Sequence, residues 1–478
     1  MTKLIVNRVA CATILALGAL ASGAALATTP VNQGTYTPIA YQPSDPRSDI
    51  SALTWRANQM DDLIANNESA ILTSNPDLGT QWMNRITVSG VLNVDAAVAQ
   101  RSYGSFGTGG YTAGAGTANN GSAFNSGYSS GLWLNDSEVD IDAQINCWVK
   151  AHIALMGGDN NTGLSGTNTP TSGASVADPT VYAKTLNPSE QKLSTNDRWV
   201  DEAYITLGDF TQTPFYATAG REYVPFGHYV KNELTPAATT YLTETQATAA
   251  DVGFVTPFYN TSNVYGSVYA LSGLNHTNAF GNGTNQARLQ NFGADLGLNK
   301  KDQTFGYAAG VSYLQNMADT NSVTNVITGF GMGTGNGTAG YTTQVPAISG
   351  FAGANYGPFN GEVDGVAALR NFSATDLAWT NDGGATIIGA QPSAVNAKAG
   401  YNFSTLGHDS EVYFRYDHSW DAVTLALPQN QYLGGYNIDL AKNTSMEFQV
   451  MYNDDYSTSH GGTGEGSVEG AARLSVLF

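Results

Sequence analysis

Hydrophobic and polar residues alternate along most of the chain from Trp82 onward. In the first such stretch, Val88 and Leu92 fall on one face, whereas Asn93 and Asp95 fall on the other. Successive side chains of a β-strand point to opposite faces, so a period of two predicts strands with one apolar and one polar face. Sixteen stretches of this kind follow one another, at 84–99, 130–145, 148–157, 198–209, 214–222, 248–258, 262–272, 287–299, 303–316, 346–356, 359–371, 394–404, 409–419, 430–441, 444–454 and 466–478.

The connections between these stretches alternate in length. Tight turns such as Gly357-Pro358 and Lys442-Asn443 alternate with long segments, most of them rich in Gly, Ser, Asn and Thr, at 100–129, 158–197, 223–247, 273–286, 317–345, 372–393, 420–429 and 455–465. Short turns at one end and long loops at the other are typical of transmembrane barrels with an even number of strands. Sixteen strands also enclose a space too wide for side chains to fill, which favours an apolar face turned to lipid. We therefore predict an all-β fold, a transmembrane antiparallel β-barrel of about sixteen strands, over residues 82–478.

The final stretch, 466–478, is the most specific of the sixteen. Val468, Leu474 and Val476 share one face, and the stretch ends on Phe478. A terminal amphipathic strand that ends on an aromatic residue resembles the signal by which bacterial outer-membrane barrels are recognised for assembly. Phe478 is therefore predicted to be an assembly signal, and the barrel assembly machinery is an expected partner.

The beginning of the chain indicates export. Residues 1–27 carry Lys3 and Arg8, then an apolar run, then a small-x-small cleavage site, which is typical of a signal peptide. Residues 28–81 are expected to be a periplasmic linker and helix, because a heptad-like run occupies 48–73. This helix either packs beneath the barrel or joins barrels into a homo-oligomer as a coiled coil. The predicted location is the bacterial outer membrane, with lipid and lipopolysaccharide as surroundings.

Charged residues occur on the polar face that would line the lumen. The acidic ones are Asp95, Glu138, Asp140, Asp142, Glu202, Glu362, Asp364, Glu411, Asp417 and Glu469, and the candidate basic ones are Arg370, Lys398, Arg415 and Arg473. They either select solutes through their field or form salt bridges that satisfy a polar interior. The whole chain has 39 acidic and 20 basic side chains, so the surplus of acids favours cations. We expect no nucleic-acid partner.

Patterns that would indicate an enzyme are missing from the sequence. The six histidines are dispersed, and none is paired with another at metal-ligand spacing. His408-Asp409-Ser410 contains the residue types of a catalytic triad, but neighbouring side chains in a tight turn or strand point apart. We therefore expect no catalytic residue, no cofactor and no metal site.

Three short stretches resemble a known family. DEAYITLG at 201–208, FYATAGREYVPFG at 215–227 and VSGVL at 88–92 resemble the LbtU-type siderophore porins. The resemblance implies an outer-membrane barrel that takes up ferric siderophore without the TonB energy system. Independently of it, residues 28–81 are too short to form the folded plug of a TonB-dependent receptor, so we expect passive transport.

Three functions are consistent with these patterns. The first is passive, TonB-independent uptake of ferric siderophore, and the second is a general or cation-preferring diffusion porin for small polar solutes. The third is a closed structural or adhesive barrel, in which the long loops at 100–129, 158–197 and 317–345 fold inward.

An anionic siderophore would have to be bound by the few basic residues of an acidic lumen. Arg370, Lys398 and Arg415 fall on the eleventh, twelfth and thirteenth predicted strands, which are neighbours, and Arg473 falls on the sixteenth. These four residues are the candidate ligand site. The alternative is that they only neutralise the acidic residues beside them.

Overall fold

The computed structural model describes residues 86–101, 128–146, 148–157, 200–210, 212–228, 230, 233–259, 262–273, 275–276, 289–300, 305–328, 340–381, 386–425, 427–462, 464 and 466–478. The predicted signal peptide, linker and helix (1–81) lie outside the described residues, as do nearly all of the loop at 100–129 and the whole of the loop at 158–197. Within the described part of the chain, no helix combines the length and the apolar character needed to cross a bilayer.

Sixteen strands of the described chain form one closed antiparallel barrel, which confirms the predicted fold class. Numbered in chain order, they are β1 (Ile86–Arg101), β2 (Tyr128–Gln144), β3 (Val149–Gly157), β4 (Val200–Leu207), β5 (Phe215–Tyr223), β6 (Gln246–Tyr259), β7 (Ser262–Ser272), β8 (Leu289–Lys300), β9 (Phe305–Leu314), β10 (Ala347–Tyr356), β11 (Phe359–Ala368), β12 (Ser393–Thr405), β13 (His408–Trp420), β14 (Asn430–Ala441), β15 (Thr444–Asp454) and β16 (Gly466–Leu477).

The predicted and observed strands differ mainly at their ends. The difference that matters most for the candidate site is at β11. The sequence predicts that this strand reaches residue 371, but it ends at Ala368. Ala368 and Leu369 donate their backbone N–H groups to the carbonyl oxygens of Pro392 and Pro346, which directly precede β12 and β10. Arg370 therefore lies beyond the strand and is exposed.

The two faces of the wall have opposite polarity. On β1, Leu92 and Val98 are 43% and 48% exposed, whereas Asn93 and Asp95 are buried on the inner side. The same alternation continues around the barrel, with large apolar side chains such as Val450 exposed on the outside. An apolar outer band with a polar interior is the pattern of a transmembrane barrel, because lipid surrounds the outer face. The structure is therefore that of a membrane-spanning barrel.

The barrel closes where β1 meets β16. Gly90 and Phe478 exchange two backbone hydrogen bonds of 3.0 Å, and the pairing continues from Val91 with Leu477. Farther along this seam, Arg473 Nε and Nη2 each donate to an Asp95 carboxylate oxygen at 2.7 Å. A bidentate pair of this kind is strong and fixes geometry, so it holds the register of the closing strands.

Long connections at one end of the barrel contain further structure. They include helices α1 (Ala238–Thr243) and α2 (Asn321–Thr328), the parallel pair Asn275–His276 with Gly340–Tyr341, the antiparallel pair Ala378–Asn381 with Thr386–Gly389, and the 3-10 turns Met317–Asp319, Val423–Leu425 and Thr458–His460. Buried side chains from several of these connections pack into one apolar core, among them Val224, Leu242, Met317, Trp379 and Tyr456. The described connections therefore pack against one another.

The seam provides a test of barrel closure. Gly90→Val should destabilise the folded barrel, because a Cβ at this position would collide with the Glu138 carbonyl oxygen and lie 2.7 Å from the Phe478 ring. Overpacking of this kind costs about 1–3 kcal/mol. The melting temperature of the folded band in SDS gels should fall for this variant.

Gly434→Val is the matched control. Gly434 also lies on an exposed strand face, where a Cβ would meet nothing within 4 Å. Its melting temperature should stay at the wild-type value. Equal melting temperatures for both variants would contradict the packing of Phe478 over Gly90.

Candidate functional site

One connection runs from β5 into the lumen and back to β6. We call its described residues, 224–228, 230 and 233–245, the inserted segment; α1 is part of it. Its two ends are joined by a 2.9 Å hydrogen bond from the Val224 N–H to the Thr245 carbonyl oxygen. Between them, Gly227 donates its N–H to Ser312 Oγ on β9 at 2.7 Å, and Thr235 Oγ1 donates to Gln449 Oε1 on β15 at 2.6 Å. The segment therefore crosses the lumen between distant parts of the wall.

The turn into the inserted segment depends on glycine. Gly227 has φ of +83°, a conformation that side chains rarely adopt, and a Cβ there would collide with Thr243. Phe226 before it is fully buried in the apolar core of the connections. Behind the turn, the Tyr223 hydroxyl donates to the Asp201 carboxylate on β4 at 3.2 Å. Residues that carried the family resemblance thus build the start of the inserted segment.

Arg415 on β13 anchors the middle of the inserted segment. Its guanidinium donates to Glu233 Oε1 at 2.7 Å and to the carbonyl oxygens of Thr235 and Pro236 at 2.7 and 3.3 Å. It also donates to Asp417 Oδ2 on its own strand at 2.9 Å. The side chain is 1% exposed, so its charge is satisfied entirely by protein groups. Arg415 therefore fixes the inserted segment to β13, and we call these contacts the Arg415 clamp.

His228 attaches the inserted segment to β11. Its Nδ1 lies 3.0 Å from Glu362 Oε1 and 3.1 Å from Asp364 Oδ1, and its ring stacks on Phe351 of β10. Burial lowers the pKa of the His228 imidazole, but the two neighbouring carboxylates outweigh this effect and hold the pKa well above its ordinary value. A protonated imidazole between two carboxylates accounts for the attachment when no other cation is bound.

Lys398 on β12 lies between this attachment and the Arg415 clamp. It is paired across the sheet with Glu362 on one side and with Arg415 on the other. Its Nζ lies 4.6 Å from the centroid of the Tyr413 ring, at the distance of a cation–π contact. Lys398 and Arg415 are thus the two candidate basic residues that the structure brings together.

The other two candidate basic residues lie elsewhere. Arg473 faces Asp95 at the seam between β1 and β16, and Arg370 is exposed at the end of β11 near the long connections. The structure therefore separates the four predicted residues into one neighbouring pair and two distant positions.

The predicted acidic residues lie on the inner face of the wall. Asp140 and Asp142 on β2 surround His152 of β3 together with Glu202 of β4, and His152 Nδ1 lies 2.7 Å from Asp142 Oδ1. The side chain of Asp142 is 46% exposed, which is much more than the others of this group. The remaining predicted acids lie on β1, β2, β11, β13 and β16: Asp95, Glu138, Glu362, Asp364, Glu411, Asp417 and Glu469.

Sequence reasoning missed the inserted segment itself. The loops singled out as able to fold inward were 100–129, 158–197 and 317–345, and of these the described part of 317–345 does pack into the apolar core. The sequence pattern places the inserted segment within 223–247, one of the long outer connections. Its apolar and threonine-rich composition, with Val224, Phe226 and Leu234, was the available signal, because solvated loops rarely carry such residues.

The sequence has relatives among curated proteins, although no protein-family profile matches it. It is 26% identical over 268 residues to a UPF0422 protein of Coxiella burnetii, covering 56% of this chain and 53% of that protein. It is 25% identical over 327 residues to a UPF0422 protein of Legionella pneumophila strain Lens, covering 68% and 54%. The chain thus spans about half the length of the curated relatives it matches, and their names specify no substrate.

Solved structures to which this chain is similar include a porin and an outer membrane channel. An anion-selective porin from Comamonas acidovorans has a TM-score of 0.46 and 11% identity, covering 82% of this chain and 99% of that chain. The outer membrane channel DcaP of Acinetobacter baumannii has a TM-score of 0.42 and 12% identity, covering 82% and 96%.

The Arg415 clamp can be tested directly. In Arg415→Ala, Glu233 and Asp417 lose their shared partner, and breaking a buried ion pair in this way costs about 3–5 kcal/mol. The melting temperature should fall, and single-channel conductance in planar bilayers should rise, because the inserted segment is released from β13. Lys442→Ala, which removes the same charge from the exposed turn between β14 and β15, is the control and should change neither quantity. A stable Arg415→Ala variant with wild-type conductance would contradict the clamp.

Proposed function

We propose that this protein is a passive diffusion channel of the bacterial outer membrane whose passage is narrowed by the inserted segment. One observation carries the proposal: a closed barrel with an apolar exterior and a charged interior is crossed by a segment held to β9, β11, β13 and β15 through polar contacts. An enclosed polar passage through an apolar wall lets small polar solutes avoid the lipid. A segment across that passage restricts which solutes pass.

The charges of the lumen favour cations over anions. Two of the inward basic residues, Arg415 and Arg473, are buried against the carboxylates of Asp417 and Asp95. The acids on the inner face outnumber the bases, and Asp142 is the most accessible acid of the cluster around His152. Clefts lined by one sign of charge enrich the opposite ion, so the passage should prefer cations.

Planar bilayers test both parts of this proposal. Reconstituted protein should give stepwise conductance, and its reversal potential in a salt gradient should indicate preference for the cation. Asp142→Asn should weaken that preference, and Asp142→Lys should weaken it further, because the charge near His152 changes by one and then two units. Because both substitutions are at the same residue, a graded change would be due to the charge and not to the loss of the side chain.

Two results would contradict the proposal in different ways. Anion preference in the wild-type protein would show that the acidic lining does not set selectivity. Silence of the correctly folded protein would favour the closed structural or adhesive barrel instead, for which the apolar core among the described long connections is the supporting observation.

Ferric siderophore is the finer hypothesis for the solute, and the resemblance to LbtU-type siderophore porins supports it. The resembling residues include Tyr223 and Gly227, which position the inserted segment. In this hypothesis, Arg370 near the long connections and Lys398 on the inner face supply positive charge to an anionic ligand. Arg415 and Arg473 do not bind the ligand in this hypothesis. They fix the shape of the passage by their ion pairs with Asp417 and Asp95.

Growth on defined iron sources tests the siderophore hypothesis. A deletion strain should grow poorly on ferric siderophore and normally on excess ferric salt, and wild-type protein should restore growth. The Arg370→Ala, Lys398→Ala double variant should restore it only in part, because both charges offered to the ligand are removed. Equal growth of the deletion and parent strains on both sources would reject siderophore uptake, while the bilayer experiment would still decide whether a channel exists.

A further inference from the structure

Where His228 is attached to β11, two carboxylate oxygens face the same nitrogen of its imidazole ring. One oxygen of Glu362 and one of Asp364 lie 3.0 and 3.1 Å from the same ring nitrogen, and the three atoms all lie within 4.8 Å of one another. A single imidazole nitrogen carries at most one hydrogen, so it cannot donate fully to both carboxylates. Asp364 is buried and the side chain of Glu362 is 16% exposed, and two negative charges that converge on one point are stabilised by a cation placed between them.

A second observation points to the same place. Asn396 on β12 is paired directly across the sheet with Asp364. Asn396 is 6% exposed, its Nδ2 donates to Thr239 of the inserted segment at 3.3 Å, and its Oδ1 is buried without a hydrogen-bond partner among the described residues. An unsatisfied buried carbonyl oxygen is costly, and at the strand position opposite Asp364 it is available to a cation.

We propose that His228, Glu362 and Asp364 bind a divalent transition-metal ion of the Zn²⁺ type, with Asn396 at the neighbouring strand position opposite Asp364. One imidazole nitrogen and two carboxylate oxygens are ligands that Zn²⁺ accepts, whereas Ca²⁺ and Mg²⁺ require more oxygen ligands. Ligand atoms around a tetrahedral ion lie about 3.4 Å apart at the usual metal–ligand distances of ~2.0–2.2 Å. The separations of 3.0 and 3.1 Å from His228 need only small side-chain movements to reach this value.

Such an ion would join the inserted segment to the wall. His228 belongs to the segment and the two carboxylates belong to β11, 134 and 136 positions further along the chain. Bound metal would therefore pin the segment across the lumen at a second point, besides the Arg415 clamp. The spacing in the sequence gives no indication of this site, because closure of the barrel brings its ligands together.

Metal content and thermal stability test the site in the untagged full-length protein. Zn²⁺ added to metal-depleted protein should bind at one ion per chain, measured by mass spectrometry after desalting, and should raise the melting temperature of the folded band. Mg²⁺ at the same concentration should not. Absence of bound Zn²⁺ together with an unchanged melting temperature would overturn the proposal and leave a proton as the bridging cation.

Variants locate the ion. His228→Ala should lose the bound Zn²⁺ and its thermal effect, whereas His152→Ala should keep both. His152 also faces three carboxylates, but two of them lie 3.9 Å away and the group does not converge within ligand distance. Zn²⁺ retained by His228→Ala would place the ion elsewhere and refute the assignment.

Two milder substitutions cover the case in which His228→Ala fails to fold. Glu362→Gln keeps the shape of the side chain and removes one anionic ligand, so the bound ion should be lost. Asn396→Ala should weaken Zn²⁺ binding about 10–100-fold, as for groups that support metal ligands. Unchanged affinity in Glu362→Gln would overturn the proposal regardless of the histidine variant.

Discussion

A closed wall of sixteen strands encloses more space than its own inward side chains can fill, and the rest of this structure depends on that constraint. The period-two pattern places apolar side chains outside and charged ones inside, so the interior cannot be filled by a conventional apolar core. A polar lumen must instead contain water, ion pairs or another part of the chain. Here the inserted segment occupies part of it, and the polar wall residues Ser312, Arg415 and Gln449 hold the segment in place.

The charges inside the barrel have two different roles. Asp95 with Arg473 fixes the register of the closing strands, and Arg415 with Glu233 fixes the inserted segment, so these charges are structural. Because these pairs are buried, removal of one partner would leave an uncompensated charge, which is costly. The pairs therefore give the lumen a defined shape. Asp142 is more accessible and belongs to the surplus of acids, so in the channel proposed above it is the residue whose field acts on solutes. A passage whose shape and field come from separate residues allows the two properties to be changed separately.

The inserted segment is attached at separate points, and this affects how a channel of this kind would be controlled. The contacts of Gly227 and Thr235 are neutral hydrogen bonds, whereas those of His228 and Arg415 involve buried charge. The attachment through His228 responds to whether a proton or a metal ion is bound there, whereas the guanidinium of Arg415 keeps its charge. The turn at Gly227 and the apolar packing of Phe226 set the direction of the segment independently of both. The resemblance of residues 215–227 to the LbtU-type porins is therefore explained by the structural role of this turn, without reference to any ligand.

The sequence by itself determined the sixteen strands and the two faces of the wall, because alternation is a local property that each strand carries in its own residues. It placed the acids on the inner face for the same reason. Only the tertiary structure decided that β11 ends before Arg370, that the inserted segment enters the lumen, and that Arg415 is clamped by Glu233. It also assembled His228 with Glu362 and Asp364. These outcomes depend on contacts between segments far apart in the chain, which exist only once the barrel has closed.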